Sequence, residues 1–229
     1  MTTDNILRHV GFIADGNRRW ARSHGLPTLE GHRRGFDRVE VIIDALKSTE
    51  VEFVSFFLFS TENWDRSPEE VNYLMDLVSK QINKLTKKLK QENIRILLMG
   101  RPEPVDPKLW AKMLHAESET MDNTGLTVCI CFNYGGHWEI ADAMTKILDQ
   151  GLEGPITPEI VRSHLYHPEV PDLDLIVRTS GEQRISGFQL WRAAYSEFLF
   201  LEKNFPDIDA DDVSASINEF HARGRRFGK

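Results

Sequence analysis

The stretch HVGFIADGNRRWA, at residues 9–21, decides the fold and sets the first expectation about function. Residues 10–14 are apolar or small and predict a short buried strand. Asp-Gly-Asn at 15–17 predicts a turn, and the residues from Arg18 onward have helical composition. Backbone N–H groups at the start of a helix attract anions, and arginine guanidinium groups add paired donors that match phosphate oxygens. The stretch therefore predicts an anion site at the end of a strand.

The acid in this stretch, Asp15, predicts a cation. A carboxylate beside Arg18 and Arg19 is explained if it holds Mg²⁺, which proteins bind through one or two carboxylates together with substrate phosphates. Taken alone, the segment is also compatible with a tight turn whose aspartate caps a helix and whose arginines are solvated.

Length and composition indicate one large domain covering residues 1–229. The chain has 229 residues, enough to bury a core, and its 41% hydrophobic and 28% charged residues are ordinary for a globular protein. The formal net charge of −7 argues against a general nucleic-acid binder, because such a protein needs a positive surface to neutralise phosphates. An RNA-binding module built on the arginine-rich segments is therefore disfavoured, and no nucleic-acid partner is expected.

No stretch of the sequence approaches the roughly 20 apolar residues of a membrane-spanning helix, and the N-terminus lacks the layout of a signal peptide. We therefore expect a cytoplasmic protein without a transmembrane segment. Cys129 and Cys131 alternate along an apparent strand, so both side chains point to the same face. With no third thiol nearby, they are expected to be small buried apolar residues rather than metal ligands.

Strand-like apolar runs alternate with helical patterns along the whole chain. This alternation predicts an α/β fold with a mainly parallel central sheet flanked by helices on both faces. The runs lie at 10–14, 51–59, 94–99, 126–132 and 173–177, with a weaker one at 198–201. The stretch 151–171 carries four prolines and predicts a surface excursion with a short helix near 158–165.

Unusual polar groups follow several of these runs. In parallel sheets, ligands bind outside the carboxyl ends of the strands, so polar residues there are candidates for a site. They are Asp15 and the segments 60–66, 133–136 and 178–184. Within 178–186, Arg178, Arg184 and Ser186 surround a glycine turn and suit a second anion. Two anion sites predict a reaction between two phosphorylated substrates, whereas a nucleotide-binding Gly-x-x-x-x-Gly-Lys loop is absent from the sequence.

The best-defined predicted helix begins near Ser67, with Pro68 in its first turn and Glu70 three residues after the cap, a capping-box pattern. Apolar residues recur along it at helical spacing and give one apolar face. A core-facing stripe and the wall of a lipid tunnel would show the same pattern. The stripe consists of Val71, Leu74, Met75, Val78, Ile82, Leu85 and Leu89.

A series of motifs carries a family resemblance. They are DGNRRWA at 15–21, GHRRG at 31–35, FSTENWDR at 59–66, NYGG at 133–136, RTSGEQRIS at 178–186, YSE at 195–197 and RRFG at 225–228. In this order they resemble the motifs of the cis-prenyltransferases, the undecaprenyl diphosphate synthase family. The resemblance implies a homodimeric α/β fold with an apolar tunnel and Mg²⁺ as cofactor. The implied reaction is condensation of isopentenyl diphosphate with an allylic diphosphate to form a Z double bond.

The resemblance also implies roles for single residues. Asp15 resembles the essential magnesium-linked acid, and Glu197, which on its residue type is either a surface acid or a metal contact, resembles a second metal contact. Trp20, in the first motif, is either a substrate contact or a packing residue. The remaining implied roles are the allylic diphosphate site for Gly16, Asn17, Arg18, Arg19 and Arg66, polar groups near the reacting carbons for His32, Ser60 and Asn63, and the isopentenyl diphosphate site for Arg178, Arg184 and Ser186.

Three positions depart from the family pattern. Arg18 replaces the usual glycine, Thr28 stands where many members carry an arginine, and Leu58 stands where long-chain members tend to have alanine. With Phe57 and Phe132, Leu58 is expected to limit chain length, so the predicted product is a short to medium Z-prenyl diphosphate. A long-chain undecaprenyl diphosphate for the cell-wall carrier lipid and a branched head-to-middle product remain alternatives.

A non-enzyme alternative is a catalytically silent partner subunit of the same fold. Such subunits lose the equivalent of Asp15, which this chain keeps. In the enzymatic interpretation, the lipid product would provide peripheral membrane contact.

Overall fold

A parallel β-sheet forms the centre of the protein in the computed structural model, which describes residues 6–152 and 154–223. The RRFG motif at 225–228 lies outside the described residues. All residues of the first and fourth strands are buried, which explains why these strands form continuous apolar runs in the sequence. Within the described residues the strands are β1 (His9–Ile13), β2 (Phe53–Ser60), β3 (Arg95–Met99), β4 (Thr127–Tyr134), β5 (Leu175–Arg178) and β6 (Glu197–Phe200).

Helices connect the strands, as the alternating sequence pattern predicted. In the described part of the chain they are α1 (Asn17–Ser23), α2 (Thr28–Leu46), α3 (Pro68–Gln91), α4 (Pro107–Glu119), α5 (Gly136–Asp149), α6 (Pro158–His164) and α7 (Ala210–Ala222). Two short 3₁₀ turns lie at Thr61–Asp65 and Phe205–Asp207. Each predicted strand is present within a few residues of its expected bounds, and α6 occupies the predicted short helix near 158–165.

The strand order places the predicted site at a switch point of the sheet. The strands lie in the order β3-β4-β2-β1-β5-β6 and every neighbouring pair is parallel. The chain leaves β1 toward β2 on one side and leaves β5 toward β6 on the other. Ligands of open α/β sheets bind at such a divergence, outside the carboxyl ends of the strands. Asp15 follows β1 there, and Arg178 is the last residue of β5.

Side chains of the sheet alternate between two cores. On β4, Val128, Ile130 and Phe132 face the larger core with α2, α3, α4 and α7, whereas Cys129 and Cys131 face the second core. Both cysteines are fully buried free thiols, and burial raises the pKa of each. They therefore act as small apolar residues, as their spacing predicted.

Helix α3 forms as its sequence predicted, with one correction at its cap. The Ser67 hydroxyl accepts the backbone N–H of Glu70 at 3.3 Å, and the helix's apolar stripe packs into the larger core. The predicted reciprocal half of the capping box is replaced, because the Glu70 carboxylate turns toward His32 and Arg66 instead. None of the helices in the described ranges combines the length and apolar character needed to cross a bilayer.

Candidate active site

A cavity of about 350 Å³ opens at the carboxyl ends of β1, β2 and β5. It gathers side chains from α1, α2, the 3₁₀ turn after β2 and the loop after β5, so segments far apart in sequence meet there. Of the predicted site residues, it is lined by Asp15, Gly16, Asn17, Arg18, Arg19, His32, Phe57, Leu58, Ser60, Asn63, Arg66, Arg178, Arg184 and Ser186.

Asp15 lies at the centre of this cavity and is held by donors from three segments. Its Oδ2 accepts a hydrogen bond from Arg178 Nη2 at 2.9 Å, its Oδ1 accepts the Gly16 N–H at 2.7 Å, and Arg19 Nη2 lies 3.3 Å from Oδ1. Burial raises the pKa of Asp15, but the hydrogen bonds from Arg178 and Gly16 and the charges of Arg178 and Arg19 outweigh it. The net pKa lies below its ordinary value, so Asp15 is a carboxylate at neutral pH.

The turn after β1 requires glycine at position 16. Gly16 adopts φ +95°, a left-handed conformation, and a Cβ there would lie 2.7 Å from Ser180 Oγ. The turn lets the chain enter α1 immediately, which brings Asn17, Arg18 and Arg19 to the cavity wall. The Asn17 amide fixes the turn further by donating from Nδ2 to the Ala14 carbonyl at 3.1 Å.

The loop after β5 supplies the second group of arginines. The Arg178 side chain is 5% exposed, donates from Nη1 to Ser186 Oγ at 3.0 Å and also donates to the Arg184 carbonyl. Arg178 therefore holds two things in place: the loop after β5 and the carboxylate of Asp15. Arg184 is 58% exposed at the rim, and Glu182 pairs with both Arg184 and Arg19, the latter at 2.9 Å.

The opposite wall is organised by Glu70. Its carboxylate lies 3.0 Å from His32 Nε2 and 3.0 Å from Arg66 Nη1, while Arg18 Nε lies 3.8 Å away. Burial lowers the pKa of His32 more than the hydrogen bond to Glu70 raises it, so the net pKa is below its ordinary value. His32 is therefore a neutral imidazole at pH 7. The end of β2 is fixed by the Ser60 N–H, which donates to Asn63 Oδ1 at 3.1 Å.

One end of the cavity is apolar. It is lined by Ile13, Phe57, Leu58 and Leu74. Consecutive residues 57 and 58 both reach it because the β2–β4 register is irregular between Phe57 and Phe59. Leu58 also packs against the larger core, so this end is closed by side chains that belong to the packed interior.

Three predicted residues lie away from the cavity lining. Trp20 is buried and donates from Nε1 to Asp207 Oδ1 at 2.6 Å, so it packs α1 onto the Phe205–Asp207 turn. Phe132 is buried in the larger core against Phe59.

Glu197, predicted as a second metal contact, lies at the opposite end of the sheet from Asp15 within the chain. It begins β6 and pairs with Leu175, which is level with Val10. At roughly 3.3 Å per residue, this register separates the Glu197 and Asp15 backbones by about 16 Å along the strand direction. Glu197 instead pairs with Arg223 at 3.4 Å. The chain therefore does not bring these two acids together.

The structure adds residues that the sequence interpretation missed. Glu70 was assigned only to a helix cap, although its position one turn after Arg66 is a spacing at which side chains of opposite charge meet. Arg22 lines the cavity one helical turn after Arg18, and Glu182 bridges the arginines of the two halves. Glu182 lies inside the predicted segment 178–184 but was given no role, and the sequence pattern of Arg22 held no signal that distinguished it from a surface charge.

The fold and the cavity define a class of protein: an α/β protein whose sheet switch point carries two groups of arginines beside a carboxylate. The Prenyltransf family model, which describes undecaprenyl diphosphate synthases, matches residues 13–228. An isoprenyl transferase from Thermotoga maritima is 42% identical over 226 residues, covering 97% of each chain. A trans,polycis-polyprenyl diphosphate synthase from Thermobifida fusca, specific for (2Z,6E)-farnesyl diphosphate, is 39% identical, covering 97% of this chain and 81% of the relative.

Two solved structures of prenyl diphosphate synthases are also similar to this chain. Lavandulyl diphosphate synthase from Lavandula x intermedia, in complex with dimethylallyl diphosphate, superposes with a TM-score of 0.92 at 29% identity, covering 98% of this chain and 99% of that one. A probable undecaprenyl diphosphate synthase from Campylobacter jejuni gives a TM-score of 0.83 at 27% identity, covering 97% and 99%. This chain belongs to the undecaprenyl diphosphate synthase family, the cis-prenyltransferases.

Proposed function

We propose that the protein condenses isopentenyl diphosphate, or a related C5 diphosphate, with an allylic prenyl diphosphate to give a short to medium Z-prenyl diphosphate. The observation that carries this proposal is the cavity itself, in which two groups of arginines lie beside one ionised aspartate and apolar side chains. A single anion would need only one of these groups. Two diphosphates would use both.

The allylic diphosphate is assigned to the half formed by α1 and the opposite wall. The guanidinium groups of Arg18, Arg19 and Arg66 are the charged donors that line this half. Isopentenyl diphosphate is assigned to Arg178, Arg184 and Ser186. All three line the cavity, and Arg178 Nη1 donates to Ser186 Oγ at 3.0 Å, which holds the two side chains together.

Asp15 fits a magnesium ion that a substrate helps to hold. Its carboxylate is 29% exposed into the cavity and keeps acceptor capacity beyond the bonds it already makes. The described residues contain no cluster of three or more metal-binding side chains, so Asp15 would supply one oxygen ligand and the diphosphates the rest. When bound, Mg²⁺ supplies positive charge that stabilises the departing diphosphate.

The side chains around Asp15 are assigned roles in the bond-breaking and bond-forming steps of the reaction. The allylic C1–O bond breaks and its electron pair leaves with the diphosphate, whose charge Arg19 and Arg66 are placed to stabilise. The isopentenyl double bond then forms a new bond to C1, and C2 of the isopentenyl unit loses a proton to a nearby base or to a phosphate oxygen. His32, Ser60 and Asn63 line the cavity between the arginine groups and are assigned to orient the reacting carbons.

The volume and lining of the cavity support a short to medium product. A volume of about 350 Å³ is at the small end of ligand pockets, and part of it must hold the phosphates. Leu58 and Phe57 close the end where a growing chain would lie. The likeness to lavandulyl diphosphate synthase favours a branched head-to-middle condensation of two C5 units as a second candidate, since such a product also needs little space.

A homodimer is part of the proposal. Strand β6 is an edge strand in the described sheet, with stacked Phe198 and Phe200 half-buried on it and Tyr195, just before it, 74% exposed. An apolar sheet edge of this kind is suited to burial against a second copy. Sedimentation equilibrium of the wild type and of Phe200→Glu tests this, since a monomeric wild type would contradict it.

Product analysis tests the reaction. The purified protein is incubated with Mg²⁺, labelled isopentenyl diphosphate and, in separate reactions, dimethylallyl, geranyl or farnesyl diphosphate, and the dephosphorylated products are sized by mass spectrometry. Double-bond geometry by NMR distinguishes Z, E and branched products. A Z product of a few isoprene units is expected. Chains of about eleven units would identify a long-chain synthase, and absence of turnover with every starter would favour a silent partner subunit.

A further inference from the structure

The Glu70 carboxylate lies behind the wall of the cavity and contacts several of the side chains that face it. It is 8% exposed, and its Oε1 lies 3.0 Å from both His32 Nε2 and Arg66 Nη1. Arg18 Nε lies 3.8 Å from Oε2. His32, Arg66 and Arg18 all line the cavity. Removal of Glu70 would therefore leave two guanidinium groups without this counter-charge at the cavity wall.

The position of Glu70 in α3 explains why it can hold this negative charge while buried. It is the third residue of the helix, and its backbone N–H is bonded to the Ser67 hydroxyl at 3.3 Å. A carboxylate in the first helical turn is stabilised by the helix dipole. Because its side chain does not complete the capping box, the full carboxylate is available to His32 and Arg66.

The contact with Glu70 also fixes which nitrogen of His32 carries the proton. A carboxylate only accepts hydrogen bonds, so a neutral His32 must donate from Nε2. Its Nδ1 is then an acceptor with a free lone pair. The alternative neutral tautomer would set the Nε2 lone pair against the carboxylate.

We infer that Glu70 is a positioning residue of the allylic half: it holds His32 as the Nε2–H tautomer and keeps Arg66 at the cavity wall for an allylic diphosphate. In the unliganded protein the Glu70 carboxylate is the counter-charge of Arg66 and Arg18. It thereby holds their guanidinium groups where the diphosphate later binds. The kinetic part of this inference rests on the proposed function. The tautomer part does not.

Steady-state kinetics of Glu70→Gln test the kinetic part, with Glu69→Gln as the matched control. Glu69 is exposed, is also in the first turn of α3 and shares the helix dipole, so the control removes an equal charge from the same turn. Glu70→Gln is expected to raise KM for the allylic substrate about tenfold or more, as for loss of a charge-assisted contact, with KM for isopentenyl diphosphate changed less than about twofold. Glu70→Asp should recover part of the loss, and Glu69→Gln should match the wild type.

Nitrogen-15 NMR of histidine-labelled protein tests the tautomer without turnover. The His32 signals are assigned with His32→Asn, and the wild type is expected to show the Nε2–H pattern near pH 7. Glu70→Ala, which removes the acceptor, should shift the His32 ring away from it, whereas Glu69→Ala should not. A wild-type His32 that is an imidazolium or an Nδ1–H tautomer would overturn the inference, even if Glu70→Ala failed to fold.

The kinetic and NMR measurements together distinguish failure of the proposed function from failure of the inference about Glu70. An inactive wild type with the Nε2–H pattern would contradict the proposed function and leave the role of Glu70 toward His32 supported. Unchanged KM values in Glu70→Gln, together with an unchanged His32 spectrum in Glu70→Ala, would show that Glu70 is only part of the helix end, and would overturn the inference.

Discussion

Arg178 donates from Nη2 to Asp15 Oδ2 at 2.9 Å and so links the ends of β5 and β1 across 163 positions of sequence. The pair joins the two proposed diphosphate halves at the switch point of the sheet. Arg178 is nearly buried, whereas Asp15 keeps part of its surface open to the cavity. Asp15 is therefore placed to act on substrate, and Arg178 is placed to hold both Asp15 and its own loop.

Replacement of Asp15 should abolish condensation and leave the fold intact. Asp15→Ala removes the carboxylate that is proposed to hold Mg²⁺ on the leaving diphosphate, and electrostatic roles of this kind are worth roughly 10²–10³ in rate or more. Single-turnover rates at saturating substrates measure the loss. Thermal unfolding serves as the control, since a collapsed melting temperature would make the rate uninformative. The companion Asp15→Asn keeps the shape and should be as impaired. Near-normal turnover in either variant would refute the assignment.

Arg184 and Arg66 should separate the two substrates. Arg184→Ala should mainly raise KM for isopentenyl diphosphate, and Arg66→Ala should mainly raise KM for the allylic substrate. Each loses a charge-assisted contact worth about 1.5–3 kcal/mol, or roughly 10- to 150-fold. Initial-rate kinetics with each substrate varied in turn measure the effects. Arg34→Ala is the control, because Arg34 is an exposed arginine of α2 outside the cavity lining. Equal effects of Arg184→Ala and Arg66→Ala on both substrates would contradict the two-site division.

Arg178→Ala should behave differently from Arg184→Ala. Its guanidinium also bonds Ser186, the Arg184 carbonyl and Asp15, so its loss disturbs the loop and the aspartate together. We expect a lower kcat in addition to a higher KM for isopentenyl diphosphate, and a lower melting temperature. A pure KM effect with unchanged stability would show that Arg178 does not organise Asp15.

Acid should destabilise the fold through His9. His9 is fully buried, with Nε2 2.8 Å from Ser55 Oγ and Nδ1 2.9 Å from the Pro171 carbonyl, and burial lowers its pKa to about 4. In the unfolded chain its pKa is about 6.5. Between these values the unfolded state binds more protons, so the free energy of unfolding falls as pH drops, by up to about 1.4 kcal/mol per pH unit.

Urea unfolding of His9→Gln and the wild type between pH 4 and 7 measures this contribution. The variant should be less stable at pH 7 and should show a shallower loss toward acid. His115→Gln, which replaces an exposed histidine of α4, should follow the wild-type slope. Parallel curves for His9→Gln and the wild type would show that His9 does not set the acid response.

The sequence predicted the fold from its alternating pattern and the cavity from that pattern together with the family resemblance, which alone pointed to His32. Apolar runs that alternate with helices require a buried parallel sheet, and a parallel sheet gathers the residues that follow its strands. Asp15 and Arg178 were predicted to be close on that basis. The same reasoning does not specify strand register, so it could not show that Glu197 starts β6 at the far end of the sheet.

Side-chain direction was the other limit of prediction. The spacing of Ser67 and Glu70 favoured a reciprocal cap, but His32 and Arg66 compete for the Glu70 carboxylate, and neither contact is encoded in the local pattern. Phe132 was expected near the growing chain from its strand position alone. The alternation of β4 directs it into the larger core, against which Leu58 also packs, but outside the cavity lining.

Leu58 should limit product length, because its side chain lines the apolar end of the cavity and is backed by the larger core. A growing prenyl tail needs this space, and a close-packed interior does not yield it easily. Leu58→Ala should therefore shift the product distribution toward longer chains, measured by mass spectrometry of products from one fixed starter. Leu199→Ala is the matched control, since Leu199 is also partly buried against that core but is not in the cavity lining. Longer products from Leu58→Ala alone would establish Leu58 as a length determinant. An unchanged distribution, equal lengthening by the control, or a wild type that already makes chains of about eleven units would show that Leu58 is ordinary packing.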